Sequence, residues 1–492
     1  MSLRKKAIHG VTWSAIENVG KQLISFFVFL ILARLLNPES FGLIAMAGVA
    51  IAFLGLMVNY GFGPAIVQRA ELDPEHLDTA FWVGMSANVL LTIIALLSAD
   101  WIAALFSQPL LGSIIRWLSI PFIVGSLTTV QMALLRRNMA FKSLAIRSSV
   151  SGIIGGIVAI IMALNGFGVW SLVGRQLVTS LATVLLLWWV CDWRPGLKFS
   201  IKHFKDLFGF GFALMGTNVV EFFTRQSDNL LIGYFLGPVA LGYYAIGYRL
   251  VYLMTEFLGG TVNNVAWPVF ARLQKESDRM KSIFYKAIQT VALFTFPAFL
   301  GIFALAPEIV PMFFGVKWSP SIPIMQVLAF VGIVNAISFM NDSVIVAMGR
   351  SNWYFALEAS IAAFNVVGFL IAVHFGIVAV AASYVIVRFI FMPVSLIMVR
   401  KLIGVNLIAY LKQLQGIVVA SAIMVVSIFA AKGFGIDLNS LLFQLLVFVT
   451  MGAFIYFVAI WFLSPILARQ TIDLVRLMLP SKVGKPQELG GE

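Results

Sequence analysis

Glu221, Arg225 and Asp228 stand four and then three positions apart in EFFTRQSDNLLIGYF, residues 221–235. Those spacings put three ions on one face of a helix, inside a segment that is otherwise apolar. A charge near the middle of a membrane helix costs about 2.5–3.5 kcal/mol, so three of them need partners, water or cargo. Asn218 lies on the same stripe one turn earlier, and the next apolar segment adds Arg249, Tyr252 and Glu256 at helical spacing. Gly237-Pro238 separates the two segments. Arg225 and Arg249 each stand about twelve residues from that turn, or ~18 Å along a helix, which predicts a similar depth for both.

Other apolar segments carry ions too: Glu17, Asn18 and Lys21 in the first, then Arg147, Arg175, Asp342, Glu358 and Arg388. Hydrocarbon cannot solvate these groups, so they are expected to face the interior of a bundle. Glu221 with Arg225 supports two readings, a pair that locks helices or part of a wet cavity. Arg34 and Arg116, near span ends, are expected to snorkel to the interface, and Arg147 can do the same. Arg175, Arg249 and Arg388 have no partner one turn away, which favours an anion-binding cavity. Tyr243, Tyr244, Tyr248 and Tyr252 are denser than an interfacial belt needs, and fit either a sugar path or ordinary packing.

The elements that must hold these residues follow from composition. The 492 residues are 61% hydrophobic and 11% charged, against about 25% charged in soluble domains. The chain is therefore read as an all-α polytopic membrane protein. About 20 apolar residues cross a bilayer core. Spans of that kind fall at 11–36, 40–61, 79–100, 110–135, 143–164, 168–191, 207–235, 239–265, 282–305, 321–347, 353–374, 377–399, 411–431 and 440–463, fourteen in all. With the N-terminus inside, every second connection is basic, from Arg4, Lys5 and Lys6 through Arg136, Arg137 and Lys142 to Arg400 and Lys401. The opposite connections hold only Lys317 and Lys432. The net charge of +13 thus marks one membrane face and calls for no nucleic acid.

Several classes of chemistry are excluded. Cys191 is the single cysteine and the four histidines are scattered, so neither a disulfide framework nor a metal cluster is expected. No P-loop and no G-x-S-x-G motif occurs. No catalytic residue and no cofactor is expected. The acidic segment ELDPEHLD, 71–78, reads as a solvated loop. Ser148, Gly152 and Gly156 recur every four positions, a pattern for close helix packing.

Internal symmetry is visible. Leu36-Asn37-Pro38 followed by Phe41-Gly42-Leu43 is similar to Leu236-Gly237-Pro238 followed by Leu241-Gly242-Tyr243, 200 positions on. Asn18 and Asn218 share that offset, and 168–172 is similar to 376–380 at an offset of 208. These matches predict two six-helix lobes, 1–195 and 207–400, running in the same direction as a parallel repeat. A basic, Phe-containing linker at 196–206 and a stretch at 466–479 read as amphipathic anchors on the cytoplasmic interface. Residues 401–465 supply the last two spans, and 466–492 form the tail.

The basic start, GVTWSAIENVGKQLISFFVFLILARLLNPESFGLIAM, and GPVALGYYAIGYRL closely resemble the bacterial polysaccharide exporters, the Wzx-like flippases of the MOP superfamily, and most of all their colanic-acid exporter branch. The resemblance runs over nearly the whole chain. It implies fourteen helices in two six-helix lobes forming a V, plus two extra helices. It also implies a cargo of oligosaccharide linked by diphosphate to undecaprenol, carried by alternating access across the bacterial inner membrane. It transfers no catalytic residue. Lys21, Arg147, Arg175, Arg225, Arg249 and Arg388, with Asn18, Asn218 and Tyr252, are the expected substrate residues. Glu17, Glu221, Asp228, Glu256, Asp342 and Glu358 are the expected sites of coupling to H+ or Na+. Lipids and the polysaccharide polymerase machinery are the other expected partners. A drug/cation antiporter of the MATE type is the main alternative, but it would want a cavity dominated by acids. A membrane glycosyl polymerase would usually carry a large outer loop, and none is present. A purely structural scaffold would leave the buried charges without purpose.

Overall fold

The computed structural model describes residues 3–56, 63, 66–67, 73–434, 440–465 and 467. Those residues are helical almost throughout, with no strand among them. In chain order the helices are α1 (Leu3–Leu35), α2 (Pro38–Gly55), α3 (Pro74–Leu105), α4 (Pro109–Ser126), α5 (Thr129–Arg137), α6 (Phe141–Leu164), α7 (Trp170–Val190) and α8 (Ile201–Thr255). They continue as α9 (Thr261–Arg272), α10 (Ser277–Phe313), α11 (Ile322–Ala347), α12 (Ser351–Ala372), α13 (Ile377–Ile403), α14 (Leu407–Gly433) and α15 (Leu441–Leu463). Thirteen spans among the described residues are long and apolar enough to cross a membrane, so the protein is a multi-pass membrane protein. One of the thirteen, Asn218–Leu258, is bent at Gly237, whose φ of 80° suits glycine. The Tyr244 hydroxyl reaches back to Asp228 across that bend at 2.9 Å, so the two arms of α8 lie side by side, as the spans 207–235 and 239–265 anticipate.

Proline sets several starts. Pro38, Pro74 and Pro109 each open a helix, where the missing N–H is no loss and φ is already helical. One expected span divides: 110–135 is two helices, α4 and the short α5, parted at Leu127 and Thr128. A twenty-residue apolar window cannot report such a break, because hydropathy does not sense backbone direction.

By contacts the chain forms two compact units. The first is Met1–Leu253 with Val310–Leu328 and Ser351–Phe391; the second is Met254–Ile309 with Ala329–Arg350 and Met392–Glu492. In the first, α1 lies on α6 through the small-residue stripe. A Cβ on Gly152 would meet Ile24, one on Gly156 would collide with Val28, and Ser149 faces Gly20. Gly155 lets α6 approach the Arg175 carbonyl and Thr179 on α7 just as closely. The turns at Pro38 and Pro238 touch each other reciprocally: Gly42 faces the Pro238 carbonyl, and Gly242 faces the Pro38 carbonyl.

The acidic segment departs from its expected role as a solvated loop. Asp78 is buried and accepts the Gly196 N–H at 2.9 Å, while the Trp82 indole donates to the Gly196 carbonyl at 2.7 Å. A long-range partner has turned an apparently solvated acid into a clamp on 191–200. In the linker 196–206, expected to form an amphipathic anchor, the side chains of 201–206 lie outside the described residues, and so does all of the expected anchor 466–479 except Leu467.

In the second unit a polar seam joins α10 to α14 and α15. Tyr285 and Asn406 exchange hydrogen bonds at 3.2 and 2.9 Å, Gln289 meets Gln413, and the Tyr456 hydroxyl donates to the Leu293 carbonyl at 2.7 Å. Lys432, expected in a connection, lies in the last turn of α14. It donates to Glu308 and to the Ala304 carbonyl, each at 2.7 Å, between Phe429 and Phe448. The buried carboxylate holds it there. Asn406 also caps α14, accepting from the Ile408 and Ala409 N–H groups. Replacing Asn406 with Ala is expected to cost about 1 kcal/mol, read as a lower melting temperature of the purified protein with transport retained.

Candidate functional site

Helix α1 organises the site. Glu17, Lys21, Ser25, Phe29 and Ala33 recur every four residues along one slowly turning face. Glu17 pairs with Arg147 of α6 at 3.5 Å, both largely buried. One turn above stands exposed Lys21, and above that Ser25. The Ser25 hydroxyl accepts from Arg175 of α7 at 3.1 Å and from Arg249 of α8 at 3.3 Å. Phe29 then lies under the Arg249 guanidinium, 5.3 Å from its ring centre.

Two guanidinium groups therefore converge on one neutral hydroxyl. Among the described residues no carboxylate lies within salt-bridge distance of either, and the buried Nε of Arg249 has no hydrogen-bond partner. Adjacent cations repel, and a serine oxygen cannot neutralise them. An anion with several oxygens would satisfy both forks at once. The small stripe on α6 permits this arrangement, because it lets α1 and α7 approach from either side of one helix.

The remaining candidates fall into smaller groups. Arg225 and Glu221 form the expected pair at 2.9 Å, with both side chains more than half exposed. Asn218 is partly buried and Asn18 exposed. Asp228 is buried, accepting from the Tyr244 hydroxyl at 2.9 Å and from the Asn229 N–H at 2.7 Å. Tyr244, Tyr248 and Tyr252 stack in succession, ring centres 6.2 and 5.9 Å apart, so their faces pack against one another. Glu256 and Asp342 belong to the second unit and are partly buried there.

Two expectations are corrected. Arg388 has a partner, Glu358 on the neighbouring helix α12, at 3.4 Å, with Tyr384 under its guanidinium at 5.7 Å. The acid is one helix away, so no spacing within α13 could reveal it. Arg147 is held by Glu17 and does not snorkel. Arg34 is exposed near the end of α1 and donates its Nε to the Phe313 carbonyl at 3.1 Å and a terminal N–H to the Met312 carbonyl, because the end of α10 offers it unsatisfied acceptors. Arg116 is partly exposed and pairs with exposed Asp100. Sequence reasoning missed Ser25, Phe29, Tyr384 and Trp318. The four-residue rhythm from Glu17 to Ala33 is the signal that leads to the first two.

Comparison with known proteins adds three observations. A family profile described as "Polysaccharide biosynthesis protein" matches residues 31–323. Among curated relatives, the succinoglycan biosynthesis transport protein ExoT of Rhizobium meliloti is 26% identical over 97% of both chains. The lipopolysaccharide biosynthesis protein WzxC of Escherichia coli is also 26% identical, over 71% of this chain and 72% of its own. Among solved structures, the lipid II flippase MurJ in an inward closed conformation superposes with a TM-score of 0.75 at 16% identity, covering 93% of this chain and 99% of that one. That last likeness establishes a shared fold.

Proposed function

Because the chain belongs to the polysaccharide biosynthesis protein family, we propose that it is a flippase that moves lipid-linked oligosaccharide repeat units, joined to undecaprenol through a diphosphate, across the bacterial inner membrane. The observation that carries this reading is the pair Arg175 and Arg249, meeting on Ser25 without a carboxylate among the described residues. A diphosphate is the doubly charged, oxygen-rich anion such a pair would hold, while the lipid tail stays in the bilayer. The similarity to a transport protein of succinoglycan biosynthesis and to a lipid II flippase supports it. No bond is made or broken, so no catalytic residue is needed.

The topology that suits this work has fourteen crossings, both termini in the cytoplasm and two six-helix lobes, 1–195 and 207–400, alternating in access. The linker 196–206 and the tail 466–492 lie on the cytoplasmic side, with 401–465 as added helices that contact lipid and the polymerase machinery. Lys21, Arg147, Arg388, Asn18, Asn218, Arg225 and Tyr252 extend the binding surface from the arginine pair. The antiporter alternative is weaker, since a cationic drug would be repelled by Arg175 and Arg249.

The deciding experiment is a strain lacking this chain. It should accumulate lipid-linked repeat units on the cytoplasmic side, and the native chain should clear them. Clearance that fails, together with restored efflux of cationic drugs, would transfer the chain to the antiporter class.

Coupling to an H+ or Na+ gradient is assigned to the acids. Asp228 is the foremost of them, since it is buried, hydrogen-bonded to Tyr244 and has no cation within salt-bridge distance among the described residues. Glu17, Glu256, Asp342 and Glu358 are the others, and Glu221, exposed and already paired with Arg225, is set aside as the comparison. Asp228→Asn is expected to stop gradient-driven flipping in vesicles, whereas Glu221→Gln, at an exposed pair worth under about 1 kcal/mol, should stay within about twofold of native. Equal rates for both variants and the native chain would end the assignment.

A further inference from the structure

The stripe on α1 that reaches the arginine pair does not stop there. Four residues beyond Ser25, the Phe29 ring meets Phe41 edge-on at 5.5 Å and Phe314 at 6.1 Å, with Arg249 above it. Four residues further, the Ala33 carbonyl accepts the Trp318 indole N–H at 2.8 Å. Trp318 is completely buried although it sits in the short turn between α10 and α11, where its neighbour Val316 is exposed. Phe41 and Tyr243 flank it edge-on at 5.4 and 6.0 Å.

The rest of that turn is laced to the same two hairpins. Lys317 donates to the Arg34 carbonyl and Ser321 to the Tyr243 carbonyl, each at 2.8 Å. Immediately beside them Gly42 and Gly242 carry the reciprocal contact with Pro238 and Pro38. One aromatic stack, Phe29, Phe41, Phe314 and Trp318, thus caps the arginine pair at the membrane side opposite the basic connections.

We infer that Trp318 and Phe29 form the seal that closes the arginine site to that side, and that Phe29 is the positioning residue tying the seal to occupancy of the site. Phe29 is placed for this because it touches both Arg249 and the aromatic stack. An anion that takes both forks of Arg249 draws the guanidinium off the Phe29 ring and off Ser25. Phe29 then loses the contact that holds it against Phe41 and Phe314, and the turn bearing Trp318 loses its floor. The inference rests on the transport reading for its purpose, but its geometry can be tested without any lipid-linked sugar.

The test uses the full chain in membrane vesicles of known sidedness, with Cys191→Ser so that an engineered cysteine is the only thiol. A Ser25→Cys reporter should be protected from an impermeant thiol reagent added opposite the basic side. Trp318→Ala and Phe29→Ala should each raise its labelling rate by about tenfold or more, the scale expected when a minor open state becomes common. Trp318→Phe and Phe29→Leu, which keep most of the bulk, guard against misfolding and should raise it less. In a second arm the reporter is Ser321→Cys, and inorganic pyrophosphate should accelerate its labelling in the otherwise native background but not with Phe29→Leu. Rapid labelling of Ser25→Cys with Phe29 and Trp318 intact, or protection that persists in both Ala variants, overturns the seal. Pyrophosphate that leaves Ser321→Cys unchanged overturns the tie to the site. Neither result touches the accumulation experiment, so the seal and the transport reading fail separately.

Discussion

Arg249→Ala and Arg175→Ala should each abolish clearance of lipid-linked repeat units in a strain that depends on this chain. The reason is that no described residue supplies another counterweight at the site. Among the described residues each guanidinium reaches Ser25 and no carboxylate, so the energy of bringing two like charges together is recovered only when an anion arrives. Removing one partner of a buried, hydrogen-bonded charge pair costs about 2–5 kcal/mol. At about 1.4 kcal/mol per factor of ten, that is a loss of about 30-fold or more in affinity. Arg249→Lys should fall between, because an ammonium keeps the charge and loses the planar fork. The double variant should lose less than the two single losses added, since both arginines serve one anion. Arg225→Ala should be milder, as its partner Glu221 is exposed and already satisfies it. The measurement is the pool of lipid-linked repeat units against exported polymer, with membrane abundance of each variant as control. Native clearance by both Arg249→Ala and Arg175→Ala would remove the central claim about this site.

The contrast between these arginines and Arg388 shows what a sequence can and cannot reveal. Charges inside apolar segments are legible because hydrocarbon forbids them, and so the ions were found. Their pairing is legible only where both partners share a helix, as Glu221 and Arg225 do. Arg388 finds Glu358 on an adjacent helix, Arg147 finds Glu17 across the bundle, and Lys432 finds Glu308 from α14 to α10. No periodicity encodes those meetings. Ser25 was missed for another reason: a neutral serine in an apolar helix costs little and signals nothing by itself. Its role emerges from the residues above and below it on α1. Asp78 misled in the opposite sense, since four acids and a histidine in ELDPEHLD look solvated until Gly196 is brought to one of them. The spans themselves were readable because one physical quantity, apolar length, decides them. The break at Leu127 was not, because backbone direction is set by packing.

Gly42→Ala and Gly242→Ala should both destabilise the protein more than other glycine substitutions in these helices. A Cβ on Gly42 would lie 1.7 Å from the Pro238 oxygen, and one on Gly242 would lie 2.0 Å from the Pro38 oxygen. The obstacle in each case is backbone. Pro38 occupies the first turn of α2, and Pro238 begins the second arm of α8. Both prolines lie within helix, where the helical ψ fixes the direction of their carbonyls and leaves them little room to turn away. The hairpins must therefore separate, and with them the floor on which Phe41 and Tyr243 hold Trp318. Overpacking of a tight contact typically costs about 1–3 kcal/mol, and a rigid backbone contact belongs at the upper end. The second substitution should add less than the first, because the first has already parted the hairpins that the second would strike. Gly48→Ala is the control: it lies in α2 with nothing near its would-be Cβ, so it should leave stability unchanged or raise it by about 0.5–1 kcal/mol through helix propensity. Melting temperatures of the purified variants in detergent decide the matter. If Gly42→Ala melts with the native chain and with Gly48→Ala, the hairpins do not cross as closely as the reciprocal contact requires, and the seal above the arginines loses its footing with them.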